Sequence, residues 1–194
     1  MALRSGRGGF TFIEAMTAVA ITAMAGGAVL LGVNSSLLAT KTALEQTIAQ
    51  GLAQQLMDEL AGMAYARNAA SPYEYPLAPT SAELAGPGRT QFTNLADYNG
   101  LTEAPPVDPY GIPLGTDDGQ GSTRNPSLQN TYLSNWQRTA LVYYVDPTTQ
   151  STELAPGQTS NFRAAEVHVW VQDKSGTLRQ VYMLRRVFAY VPSS

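Results

Sequence analysis

The chain has 194 residues, with 12 Lys and Arg against 15 Asp and Glu, one His and no Cys. That length accommodates one membrane helix and one modest globular domain, and a net charge of −3 leaves no basic field for nucleic acid. Without cysteine there can be no disulfide, so the domain must hold together by packing, metal or assembly.

Met1 to Gly9 is short, glycine-rich and basic, with Arg4 and Arg7 and no acid. The positive-inside tendency puts this end in the cytoplasm. An apolar run from Phe10 to Val33 follows, in which Glu14 is the only charged residue. As a helix it would reach about 36 Å, enough to cross a hydrocarbon core of about 30 Å with some tilt. A carboxylate at the start of such a span is costly unless it has a partner. In an ordinary secretory signal the small residues come after a shorter apolar core. Here Gly8 and Gly9 come before it. That order predicts cutting ahead of the helix, which is retained, with the bulk of the chain across the membrane.

Gly9-Phe10-Thr11-Phe12-Ile13-Glu14, followed by an unbroken apolar helix, resembles the class III signal of type IV pilins and pseudopilins from Gly8 to about Leu38. The resemblance implies that a membrane-embedded prepilin peptidase cuts between Gly9 and Phe10. The new amine on Phe10 is then N-methylated. Gly9 is needed because the peptidase tolerates almost no side chain before the cut. Glu14 resembles the family's glutamate at the fifth mature position, which meets the Phe10 ammonium of a neighbouring subunit and offsets part of two desolvation costs. The competing reading is a plain signal anchor with one chance glutamate. The partners implied are other pilin or pseudopilin subunits, the peptidase, an inner-membrane assembly platform and membrane lipid, with no nucleic acid and no cofactor. The implied place is the bacterial inner membrane, with the C-terminal domain periplasmic.

Asn34-Ser35-Ser36 marks the exit from the membrane without breaking the helix. Beyond it Leu44, Ile48, Leu52, Leu56 and Leu60 recur every four residues, and Ala49, Ala53, Met57, Met63 and Ala64 widen the stripe. Lys41, Glu45, Gln46, Gln50, Gln54 and Asp58 take the other faces. The pattern predicts one helix from about Phe10 to about Ala66, its second half packed on a soluble domain. Gly26-Gly27 is its weak spot, since Gly costs about 1 kcal/mol against Ala. Relatives often partly unwind here, but this chain lacks the proline many carry. Ala53 to Leu60 resembles the matching helix of I-type minor pseudopilins and PilV-like minor pilins. Taken alone, Asp58-Glu59 reads as a solvated pair of acids.

From Ser71 to about Ser134 the sequence offers turn signals rather than periodicity, with room for a short helix at Leu95 to Tyr98 and a short strand or two. So long an irregular stretch is usually functional or wrapped on the surface. Asp117-Asp118-Gly119 lacks the alternating oxygens of a calcium loop and reads as a solvated turn. Strand-like runs follow at Arg138 to Asp146, Glu166 to Gln172 and Leu178 to Tyr190. The expected fold class is α+β, a long N-terminal helix packed on a C-terminal antiparallel β-sheet. The expected segments are 1–9 leader, 10–38 transmembrane helix, 39–67 amphipathic helix, 68–135 loop-rich region and 136–194 sheet. His168, the single histidine, reads as a packing or surface residue, and Arg185-Arg186 as solvent-facing. No nucleophile motif, phosphate loop or metal cluster occurs, so neither an enzyme nor a metal site is expected. The function expected is a structural, minor subunit of a type II secretion pseudopilus or type IV pilus. The alternative is a membrane-anchored periplasmic ligand-binding or enzymatic domain.

Overall fold

A computed structural model describes residues 11–68 and 71–191. Helix α1 runs from Phe12 to Ala61. The chain divides into two compact units, one up to Leu44 and one from Glu45 onward.

In the first unit every described residue, Thr11 through Leu44, is exposed. The helical part reaches about 50 Å, and its most apolar window carries no buried residue, making it a candidate membrane span by length and composition. Its threonines do not leave hydroxyls stranded. Thr17 donates to the Ile13 carbonyl and Thr22 to that of Ala18, each at 2.8 Å. That satisfies polar groups internally, as a lipid-facing helix requires.

The second unit begins where α1 becomes two-sided. Ala49, Leu52, Ala53, Leu56, Met57 and Leu60 are buried and pack on a four-stranded antiparallel sheet, β1 (Leu101–Glu103), β2 (Trp136–Tyr144), β3 (Phe162–Gln172) and β4 (Leu178–Ala189), in the order β1-β2-β3-β4. The register puts Arg138, Ala140, Val142 and Tyr144 of β2 opposite Val169, Val167, Ala165 and Arg163 of β3. All eight are buried and form the sheet face under the helix. The α+β expectation holds.

The boundaries differ in instructive ways. The described helix starts at Phe12, Phe10 lying outside the described residues, and it ends at Ala61 rather than Ala66. The Gly62 amide closes the last turn on the Asp58 and Glu59 carbonyls, and the chain then leaves the helix axis. Ala64 pairs with Asn94, its carbonyl accepting from the Leu95 amide at 3.0 Å. Gly62 weakens a further helical turn by about 1 kcal/mol, and the long-range pairing of Ala64 draws the chain away in the same direction. Leu44 and Ala64, assigned to the stripe, are exposed, while Glu45, assigned to the polar face, is buried against Arg179 at 2.5 Å. β2 and β3 start two and four residues early. Val145 forms only an isolated bridge with Glu153. β1 adds a fourth strand inside the loop-rich region.

That region is not a surface wrapping alone. Leu77, Phe92, Leu95, Ala96 and Tyr98 enter the common core. The short helical turn at Leu95–Tyr98 is fixed by a capping box. Asn94 accepts from the Ala96 amide at 2.9 Å, and the Asp97 carboxylate accepts from the Asn94 amide at 3.1 Å.

Candidate functional site

Two arrangements of charge stand out, one on each unit. On the first, Glu14 is the only charged described residue before Lys41. Its Oε2 accepts from the Thr11 amide at 2.9 Å and the Thr11 hydroxyl at 2.8 Å, while the Glu14 amide donates back to Thr11 Oγ1 at 3.3 Å. Thr-x-x-Glu ahead of an apolar run is a capping box. Within a single chain the carboxylate is therefore engaged with the first turn of its own helix and lies close to the positive end of the helix dipole. Sequence reasoning passed over this role although the signature was in view. Gly9, Phe10, Arg4 and Arg7, the other expected processing, assembly and leader residues, lie outside the described residues.

The second arrangement is buried. Arg89 sends Nε and Nη2 to the two oxygens of Glu59, each at 2.8 Å, and Nη1 to Glu103. Arg138 donates its Nε to the other oxygen of Glu103 and its Nη2 to the Val107 carbonyl at 2.5 Å. The Tyr98 hydroxyl donates to Glu59 at 2.8 Å. Both arginines and Glu103 are almost fully buried. This network ties the helix (Glu59), the irregular segment (Arg89) and the sheet (Glu103, Arg138) to one another. Asp58-Glu59 is thus not a solvated pair, since only Asp58 faces water. Gly88 permits the arrangement. Its φ is +56°, and a Cβ there would come within 2.3 Å of the Gly111 backbone nitrogen. Only glycine lets this loop press close enough for the Arg89 amide to donate to the Pro109 carbonyl at 2.7 Å.

Electrostatics follow from this burial. Desolvation pushes Glu59 upward, but the hydrogen bonds and charge of Arg89 outweigh it and the carboxyl titrates below its ordinary range. Burial, with the charge of Arg89 nearby, draws Arg138 down to about 10, which leaves it a cation at neutral pH. Beside the network, Arg67 donates to Glu83 and to Asp97 at 2.9 Å. Burial works against the Glu83 anion, yet Arg67 and the amide and hydroxyl of Thr80 hold it down at about 2.

The remaining singled-out residues are placed plainly. Asp118 accepts from the Gln120 and Ser122 amides at 2.8 and 2.9 Å, an Asx-turn. His168 lies on the sheet face away from the helix, its Nε2 3.1 Å from Glu166. Arg185 does not simply face solvent. It reaches the Gln150 carbonyl at 2.6 Å and the Tyr143 hydroxyl at 3.2 Å, while Arg186 stands 4.0 Å from Asp58. No group of three or more His, Cys, Asp or Glu suited to a metal occurs among the described residues. The charge pairs of the second unit are thus suited to holding elements together, and the chemistry left open to a partner is the apolar surface of the first. No known protein family, curated protein or solved structure matches the chain.

Proposed function

We propose that this chain is a structural subunit, of the minor kind, of a type II secretion pseudopilus or type IV pilus. A prepilin peptidase processes it between Gly9 and Phe10, and it assembles through the N-terminal part of α1. It sits in the bacterial inner membrane with the unit from Glu45 onward in the periplasm, and it joins other pilin or pseudopilin subunits on an inner-membrane assembly platform. It is not an enzyme.

Glu14 carries this proposal: one acid, the fifth residue after the expected cut, at the head of an apolar helix that is exposed throughout the first unit. The exposed stripe needs lipid or other helices to cover it, and like helices packed side by side would do so. At about 4 Å and an effective dielectric of about 20, a glutamate–ammonium pair is worth about 4 kcal/mol. That attraction offsets part of the cost of desolvating both charges and competes with the Thr11 contacts for the carboxylate. The minor assignment rests on the resemblance of Ala53 to Leu60 and on the absence of a disulfide-closed loop.

The test is Glu14→Ala in cells carrying the assembly machinery. Cleavage should remain largely intact, and incorporation into filaments should fall sharply. Normal incorporation would overturn the ion-pair role. A minor subunit should also be scarce beside the main filament protein, and an abundance ratio near one would sink that part of the assignment.

A further inference from the structure

Two shallow depressions open side by side on the second unit, where the segment around Tyr73 to Leu77 meets the loop from Pro147 to Asn161. They share Leu154 and Gln158 as lining. The larger, about 590 Å³, is flanked by Tyr73, and the smaller, about 210 Å³, by Tyr75. The larger falls within the roughly 300–1,000 Å³ usual for ligand sites. Tyr73 is 49% exposed and Tyr75 57%, which leaves two aromatic rings open to a ligand at adjoining depressions.

Tyr73 is also pinned. Its hydroxyl donates to Asn161 Oδ1 at 2.5 Å, so its ring is presented with little rotamer freedom left to lose. Around it the exposed side chains of Gln158 and Thr159 make no hydrogen bond among the described residues, and Asn161 uses only its oxygen. Unspent amide and hydroxyl groups therefore stand next to open aromatic rings.

The lining also says what does not fit. No Lys or Arg borders either depression, so phosphate, an acidic peptide or nucleic acid finds no counter-charge. Glu153 is the only carboxylate, too little for a cation. The aliphatic lining is interrupted by amides, unlike the continuous groove an amphipathic helix needs.

We infer that this surface binds a neutral oligosaccharide. The tyrosine rings cover the aliphatic C–H faces of neighbouring sugars, and Gln158, Thr159 and the Asn161 amide bond their hydroxyls. The inference is independent of filament membership, since it concerns the second unit alone.

The experiment is calorimetric titration of the full chain, held in an amine-oxide detergent with no sugar head group, with cellohexaose, chitohexaose and maltohexaose in turn. Saturable binding of at least one is expected. Tyr75→Ala should weaken it by about tenfold or more, and Tyr75→Phe should stay within about threefold, because the ring and not its hydroxyl makes the contact. Tyr75 is open to solvent, so its truncation leaves the core untouched, and an unchanged near-ultraviolet dichroism spectrum would verify this. Absence of saturable heat with all three sugars, or equal binding by Tyr75→Ala, overturns the inference.

Discussion

Replacing Glu103 with alanine should be among the most damaging single changes available in the second unit. Its side chain is 4% exposed, and each carboxylate oxygen serves a different arginine. After its removal Arg89 keeps both bonds to Glu59. Arg138 keeps only neutral acceptors, the Val107 and Leu52 carbonyls and the Gln55 side chain. A fully buried guanidinium would then have lost its one contacting carboxylate. Breaking a buried pair in this way costs about 3–5 kcal/mol, a large share of the roughly 5–15 kcal/mol that stabilises a domain. The double change Glu103→Leu with Arg138→Met removes both charges and should recover most of the loss, because a buried ion pair exchanged for apolar side chains of similar volume is often neutral or better. Denaturant unfolding of the full chain in detergent, followed by near-ultraviolet dichroism, gives the two values. A cost under about 1 kcal/mol for Glu103→Ala, or a double variant no better than the single one, would refute this account of the network.

Further outcomes follow from the same contacts. Glu59 and Glu83 titrate lower in the folded chain than the usual 4.5, Glu83 at about 2. Their contribution to stability is therefore full above the unfolded value and lost as pH falls through the folded one. Denaturation midpoints should drop steadily between about pH 4.5 and pH 2, and a flat profile there would contradict the pairing. Leu56, fully buried under the sheet, should cost about 2–5 kcal/mol when cut to alanine, read by the same unfolding assay. Thr11→Val removes the hydroxyl from both of its contacts with Glu14. First-turn amides should then exchange with deuterium about fivefold faster, matching a lost cap of about 1 kcal/mol. Unchanged exchange would mean that the capping box contributes nothing.

The helix and the sheet were legible because their apolar periods are unambiguous. Leu52, Leu56 and Leu60 mark one helix face, and Val167 and Val169 one strand face. The buried network was not legible in its pairing, since nothing in the chain announces that Arg89 meets Glu59 thirty positions away. Half of its signal was nevertheless present. Arg138 falls in phase with Ala140, Val142 and Tyr144, and Arg163 in phase with Ala165 and Val167, which are positions where a strand buries its side chains. An arginine at such a position needs an acid or carbonyls to meet it. Met63 and Ala64 continue the apolar stripe, so the pattern alone predicts helix to Ala66, five residues past its end at Ala61. Their departure depends on Asn94 and Leu95, contacts that no local pattern encodes. At the N-terminus the reverse holds. The Thr11–Glu14 box is wholly local and is spelled out by Thr-x-x-Glu ahead of an apolar run.

The most direct measurement is the mass of the amino-terminal peptide of the native protein, taken from membranes of cells with an active prepilin peptidase. The account predicts a species beginning at N-methylated Phe10, without Met1 through Gly9. A species that retains those nine residues would contradict it, leaving Glu14 as the acid of a capping box and favouring the reading of the first unit as a plain signal anchor.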